Sequence, residues 1–132
     1  MNNEIVWSPP EEIVKNSKLT KFLKFCKLSN YDELEKKSYA DPGWLWDNVI
    51  KFSDLKFYQS YEKIMDDSKG APWTKWCVGG KTNIVLNCID RHKEKKFFSE
   101  TFIFAEREDG TKNSITYKEF NNQISKVGNA LK

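Results

Sequence analysis

The fold is decided by residues 101–120, which read TFIFAEREDGTKNSITYKEF. Within them, residues 101–108 and 111–117 are rich in β-branched and aromatic side chains, the composition that favours β-strands. Only Asp109-Gly110 separates the two segments. Because Asp and Gly tolerate the positive φ angles of a two-residue type I′ turn, the pattern predicts a β-hairpin closed at this dipeptide.

A two-residue turn at this position also fixes the register of the hairpin. It places Phe104 opposite Ile115 and Phe102 opposite Tyr117. A slip by one residue would change each of these cross-strand pairs, so the register is a specific prediction about the sheet.

The hairpin leads into Thr116-Tyr117-Lys118-Glu119, which has the form of a capping box for a helix start. The helix would carry an apolar stripe formed by Phe120, Ile124, Val127 and Leu131. Because the stripe reaches the end of the sequence without a capping glycine, we expect this helix, and with it the fold, to be interrupted there.

The first half of the sequence carries three helix-start signals, each a polar residue that can accept a hydrogen bond from a free backbone amide. They are Asn16 or Ser17 ahead of a helix near residues 17–28, Asn30 ahead of residues 31–39, and Asp41-Pro42. The third helix has an apolar face too broad to leave in water, so we expect it to pack deeply. From Ser53 to Trp76 the periodicity weakens, which predicts an irregular segment held by aromatic rings.

A helical N-terminal segment followed by a β-hairpin and a helix gives an α/β fold class. With 132 residues and 39% apolar side chains, one domain over residues 1–132 is expected, as the opening of a larger, incomplete fold. The net charge of +3 is mixed, as in Lys93-Glu94-Lys95-Lys96, and this mixing argues against nucleic-acid binding.

Met1 to Val6 show no signal peptide, and no apolar stretch approaches the ~20 residues that span a membrane. Three widely spaced cysteines do not form a disulfide framework. We therefore expect a cytoplasmic protein with free thiols.

Residues 73–92 hold the candidate chemistry. Gly79-Gly80-Lys81-Thr82 resembles the end of a phosphate-binding loop, and Thr82 or Asn83 could cap a helix after it. The full loop pattern needs a glycine where this sequence has Lys75. A tight turn before a helix is therefore the favoured interpretation.

A zinc site is a second candidate, with Cys26, Cys77, Cys88 and His92 as ligands. The wide gaps between the cysteines differ from the close ligand pairs of structural zinc sites, so Cys26 and Cys88 are better explained as small core residues on apolar helix faces. Val85, Cys88, Ile89 and His92 would share one such face.

His92 is the only histidine, and Asp90 lies too close in sequence to share its helix face. Neither serine nor cysteine stands in a nucleophile context. We predict no catalytic, cofactor-binding or metal-binding residue in this sequence.

Four tryptophans flank these candidates: Trp44, Trp46, Trp73 and Trp76. They could line a ligand pocket, but large aromatics at element boundaries more often anchor cores and interfaces. An exposed aromatic patch would favour the pocket.

Taken in order, these landmarks resemble the N-terminal region of AMP-forming acetyl-CoA and acetoacetyl-CoA synthetases of the adenylate-forming superfamily. The matching residues are Trp7-Ser8-Pro9, Ser17 to Phe25, Tyr31-Asp32-Glu33-Leu34, Asp41 to Trp46, Trp76 with Gly79-Gly80 and Asn83, Asn87-Cys88-Ile89-Asp90-Arg91-His92, and Thr116-Tyr117-Lys118-Glu119-Phe120. The segment from Trp76 to His92 is the most specific part of the resemblance. Two positions depart from the family pattern, where Cys77 replaces an aromatic residue and Thr82 an apolar one.

The resemblance implies an enzyme that converts a short carboxylic acid, ATP and CoA into acyl-CoA, AMP and pyrophosphate, with Mg²⁺ as cofactor. The family's phosphate loop ending in Pro-Lys, its Tyr-Arg-x-Gly-Asp segment and its C-terminal catalytic lysine have no counterpart in this sequence. Neither Lys51 nor Lys81 can be assigned that lysine's role. We therefore expect the isolated chain to bind none of these cofactors and to lack catalysis.

Three hypotheses follow. The chain is the N-terminal portion of such a synthetase, or a non-catalytic interaction module that docks on the remainder of a synthetase or self-associates through exposed apolar faces, or an unrelated small binding domain. The Phe120 to Leu131 stripe and the broad face around Trp44 and Trp46 favour association.

Overall fold

The computed structural model describes residues 6–131, which form two compact units. Of the described residues, the first unit comprises 6–55 and 61–79, and the second comprises 56–60 and 80–131. The prediction that no signal peptide is present falls mainly on residues 1–5, which lie outside the described residues, as does Lys132. Along the described part of the chain, every helix is too short or too polar to cross a lipid bilayer.

Among the residues that the structure describes, the first unit has four α-helices and a pair of strands. They are α1 (Glu11–Asn16), α2 (Lys18–Phe25), α3 (Tyr31–Ala40), α4 (Pro42–Phe52), β1 (Lys63–Asp66) and β2 (Lys75–Val78). The second unit contains α5 (Ile84–Cys88), β3 (Thr101–Glu106), β4 (Lys112–Thr116) and α6 (Tyr117–Ala130). The predicted α/β class, with helices first and a hairpin and helix last, is confirmed.

The helix starts follow the predicted capping residues. Backbone amides donate to the side chains of Ser17, Asn30 and Asp41, the N-caps of α2, α3 and α4. The helix expected near residues 17–28 is shorter than predicted, because Lys27 takes a φ of 57° and Leu28 N donates back to the Leu23 carbonyl. This left-handed closure ends α2 at Phe25.

The prediction of an irregular segment from Ser53 to Trp76 is wrong in part. β1 and β2 pair as antiparallel strands, with Met65 opposite Trp76 and Lys63 opposite Val78. Cys77 lies between these β2 residues with a φ of 48°, a left-handed conformation that is unusual for a residue with a side chain. Two four-residue strands leave too little alternation for the pattern to be recognised in sequence.

The core of the first unit lies around α4, against which α2, α3 and β1 each pack. Phe22 is buried, and its ring meets that of Phe52 edge to face at 5.2 Å. At the start of α4, Gly43 is also buried, and a Cβ placed there would lie 3.3 Å from the Ile64 side chain. Glycine therefore lets α4 lie close against β1.

The predicted hairpin forms in the second unit, but its register is wrong by one residue. Phe104 lies opposite Ser114, and Ile103 opposite Ile115. Only Gly110 of the turn dipeptide has positive φ, at 80°, while the Asp109 carboxylate accepts a hydrogen bond from Thr111 N at 2.8 Å.

The loop therefore contains three residues, because Arg107 N donates to the Thr111 carbonyl and Gly110 N donates to the Arg107 carbonyl. The predicted pairing of Phe102 with Tyr117 is also wrong, because an irregularity falls between Thr101 and Ile103. Their rings still pack at 4.4 Å.

The last helix packs on this hairpin through aromatic rings. Phe102 and Phe120 lie 5.1 Å apart, and Thr116 and Glu119 form the predicted capping box at the start of α6. Farther along the predicted stripe, Val127 and Leu131 are exposed. The stripe is therefore partly buried, and only in its N-terminal half, at Phe120 and Ile124.

The predicted face of Val85, Cys88, Ile89 and His92 does not form on one helix. α5 ends at Cys88, and a separate helical turn begins at Asp90. Ile89, between them, is 1% exposed and is the most deeply buried large side chain among the described residues. Cys88 is exposed, so its prediction as a core residue is wrong.

Candidate functional site

The glycine-rich segment at residues 79–82 forms a turn whose polar groups bind protein. Lys81 N donates to the Gln59 carbonyl at 2.9 Å, and the Thr82 hydroxyl donates to the Lys56 carbonyl at 2.7 Å. A phosphate loop would direct these groups toward its ligand. The segment therefore does not fit ATP or Mg²⁺, and the helix after it, capped by Asn83, has only five residues.

The candidate zinc ligands do not come together as a site. Within residues 6–131, no group of three or more His, Cys, Asp or Glu side chains is placed to hold a metal ion. Burial raises the pKa of the Cys26 thiol despite the opposing charge of Lys37. Burial and the nearby Asp47 carboxylate raise the pKa of the Cys77 thiol, so both thiols carry less of the nucleophilic thiolate.

His92 is part of an aromatic cluster in the second unit. Its ring lies 5.1 Å from Phe97 and 6.1 Å from Tyr117, and its Nδ1 is buried without a hydrogen-bond partner. Asp90 instead binds the Lys93 ammonium at 2.8 Å. The two residues thus have separate surroundings, and His92 lacks the oriented partner that a general base needs.

The tryptophans divide into different environments. Trp44 lies under the Lys37 ammonium, 4.1 Å from the ring centroid, as a cation–π pair. Trp73 projects from its turn and is 70% exposed. Trp46 and Trp76 meet edge to face at 6.1 Å, although they are 48% and 46% exposed.

This half-exposed pair lines an open apolar pocket of about 320 Å³ in the first unit, which we call the Trp46–Trp76 pocket. Its lining residues are Trp46, Ile50, Ile64, Trp76 and Cys77. Helix α4 provides two of them and the β1–β2 hairpin the other three. The lining is almost entirely apolar and includes no charged side chain.

A partly exposed polar network joins α4 to Tyr61, which precedes β1 in the first unit. The Tyr61 hydroxyl donates to Asp47 at 2.6 Å, and the Lys51 ammonium binds the same carboxylate at 2.5 Å. Partial burial opposes ionisation of Asp47, but the hydrogen bonds from Lys51 and Tyr61 and the Lys51 charge together lower its pKa. The hydrogen bond to Asp47, with burial, raises the pKa of Tyr61 to about 12.

A wider groove of about 580 Å³ lies beside this network, and its charged lining residues are Asp41, Asp47, Lys63 and Asp67. Asp41 already caps α4 through Trp44 N at 2.8 Å, and Asp47 binds Lys51 and Tyr61. Asp41 and Asp47 are therefore structural in this fold.

The sequence named the tryptophans as possible pocket residues but favoured an anchoring role, and it did not single out Trp46 and Trp76 as the pair that forms the pocket. The pocket depends on the pairing of β1 with β2, which turns Trp76 toward Trp46. The exposed aromatic surface is the observation that favours the pocket interpretation of these residues over a buried anchor.

The residues that line the Trp46–Trp76 pocket lie in a sequence region that this chain shares with known proteins. Residues 31–88 match the family described as acetyl-coenzyme A synthetase N-terminus. The chain is similar to acetyl-coenzyme A synthetases of Helicobacter pylori (strain G27), at 34% identity over 84% of this chain, and of Methanothrix soehngenii, at 30% over 96%. The match with the Chlorobaculum tepidum protein of the same name is 29% identical over 94% of this chain. The chain spans only 17 to 19% of the length of these relatives.

Proposed function

Because this chain belongs to the acetyl-coenzyme A synthetase family through its N-terminal region, we propose that it serves as the N-terminal portion of an AMP-forming short-chain acyl-CoA synthetase. The full enzyme would convert a carboxylic acid, ATP and CoA into acyl-CoA, AMP and pyrophosphate, with Mg²⁺. The match over residues 31–88, which includes the third and fourth helices and the β1–β2 hairpin, is the observation that supports the proposal.

The described residues support a structural role for this portion. The polar groups at residues 79–82 bind protein, His92 lies among aromatic rings, and the carboxylates near α4 cap or bind neighbouring residues. Chemistry would accordingly be supplied by the other parts of the synthetase, and the isolated chain would be inactive.

An assay for AMP tests the absence of catalysis. The purified chain is incubated with acetate, ATP, Mg²⁺ and CoA, beside the Helicobacter pylori synthetase as a positive control. AMP should form only in the control. Turnover by the purified chain that tracks its concentration would contradict the assignment of the chemistry to other parts of the enzyme.

A chimera tests the family role directly. The segment of the Helicobacter pylori enzyme that matches this chain is replaced by residues 1–132, and acetate-dependent AMP formation is measured. We expect activity in the chimera and none in an enzyme from which the segment is deleted. A chimera that elutes as a folded protein and binds ATP, but forms no acyl-CoA, would argue against the proposed role.

A second candidate function is that of an interaction module that self-associates. It is favoured by the exposure of Val127 and Leu131 at the end of the α6 stripe, because apolar side chains grouped in this way promote association. Sedimentation velocity at several concentrations would show concentration-dependent dimers, and replacing Leu131 with Asp would abolish them. Monomers at every concentration would exclude this candidate.

A further inference from the structure

The Trp46–Trp76 pocket has the form of a recognition site for an apolar side chain. Its volume of about 320 Å³ gives room for a bulky side chain, and its lining includes no charge that would require an ionic partner. Both tryptophans expose nearly half of their surface, at 48% and 46%. Burying such aromatic surface is a main source of binding free energy at protein interfaces.

The pocket is also held in place by the fold. Its two walls are fixed against each other where Gly43 permits the close approach of α4 to Ile64. Its lining includes Cys77, which has a φ of 48° and lies in β2 between two residues that pair with β1. A non-glycine residue persists in this conformation only when its surroundings determine it, so the pocket is preorganised.

From these features we infer that the Trp46–Trp76 pocket binds a contiguous apolar segment of the synthetase polypeptide that lies outside this chain. The inference rests on the proposed function. All five lining residues fall within the family-matched residues 31–88, and the relatives extend over more than five times the length that the chain covers. The segment is thus sought in the polypeptide with which this region is shared.

A second copy of the chain is a poorer occupant. In a two-fold dimer whose axis passes through the pocket, a concave apolar pocket would oppose another concave pocket. Such an arrangement leaves the cavity unfilled, whereas an extended segment that inserts one large side chain fills it.

Overlapping peptides test the inference without requiring the remaining polypeptide to fold. Peptides of about 15 residues, a length that carries several anchor side chains, are made. They cover the part of the Helicobacter pylori synthetase that this chain does not match. Each is labelled and titrated with the intact chain by fluorescence anisotropy. At least one apolar peptide should bind saturably, and Trp76→Ala should weaken it by tenfold or more.

The matched control is Trp73→Ala, because Trp73 is 70% exposed and does not line the pocket. This variant should bind as the wild type does. Equal loss in the two variants, or no saturable peptide, would overturn the inference. Sedimentation that shows Trp76-dependent dimers would overturn it in favour of a second copy.

A measurement on the wild-type chain covers the case in which Trp76→Ala does not fold. In proton–nitrogen correlation spectra, the bound peptide should shift the indole N–H signals of Trp46 and Trp76 and leave those of Trp7 and Trp73 in place. Shifts confined to the latter two would contradict the site. An active chimera with no such peptide would refute the pocket alone and leave the proposed function standing, whereas an inactive but folded chimera would refute the function.

Discussion

Replacing Ile89 with alanine should destabilise the second unit strongly, because this side chain is 1% exposed. Removing about three buried carbons at about 0.8 kcal/mol each gives about 2.4 kcal/mol of lost transfer free energy. The cavity left behind raises the cost to about 3 kcal/mol, since buried isoleucine-to-alanine changes span roughly 2–5 kcal/mol. The milder Ile89→Val should cost about 1 kcal/mol.

Ile84→Ala is the matched control, because Ile84 lies in the same unit but is 76% exposed. Only about a quarter of its side chain is out of water, so the cost falls to about 0.6 kcal/mol. Urea unfolding followed by far-ultraviolet circular dichroism measures both. With a slope of about 1.5 kcal/mol/M, the midpoints should fall by about 2 M and about 0.4 M.

Equal losses for Ile84→Ala and Ile89→Ala would refute the reasoning, since the two changes delete the same atoms and differ only in burial. A loss below about 1 kcal/mol for Ile89→Ala would also contradict it, because it would show that the surroundings collapse into the cavity.

Three other predictions concern caps, backbone and titration. Thr116→Ala should lower the free energy of unfolding by about 1 kcal/mol through loss of the α6 cap, with Thr116→Ser nearly neutral, as measured by urea unfolding. Gly110→Ala should destabilise the folded chain by about 1 kcal/mol, because Gly110 has a φ of 80°. Gly128→Ala, within α6, should stabilise it by about 0.5 kcal/mol. Thermal unfolding that shifted both variants in the same direction would contradict this. An ultraviolet titration should find the pKa of Tyr61 at about 12, and Asp47→Asn should lower this pKa. Because the folded state holds the Tyr61 proton more tightly than the unfolded chain does, the associated stability is present below pH 10. It is lost as the pH rises through about 12.

Local signals account for most of what the sequence could predict. A capping residue and the amide that it accepts from lie within one helical turn, so Ser17, Asn30, Asp41 and Thr116 could be recognised without knowledge of the tertiary fold. The synthetase resemblance was read from the same kind of ordered local motifs, and the family match confirms it.

The predictions that failed concern positions at which two local structures have similar energies. Asp109 fits both a two-residue and a three-residue hairpin loop, and its hydrogen bond to Thr111 N accompanies the longer loop and a register shifted by one. The Trp46–Trp76 pocket needed a pairing between two four-residue strands and a left-handed Cys77, neither of which leaves a sequence pattern. The expectation of one domain over residues 1–132, the cytoplasmic location and the absence of site residues stay predictions.

The two-stranded β3–β4 ribbon also has a consequence for the solubility of this chain at high concentration. Within the described residues each strand is paired on one side only, and Phe104, near the middle of β3, is exposed. Residues 101–105 combine high β-propensity with no charge and no proline, the composition from which intermolecular β-sheets grow. The same hairpin that organises the second unit is therefore the segment through which copies of the chain would aggregate, and the charged residues from Glu106 to Asp109 that flank it act as gatekeepers.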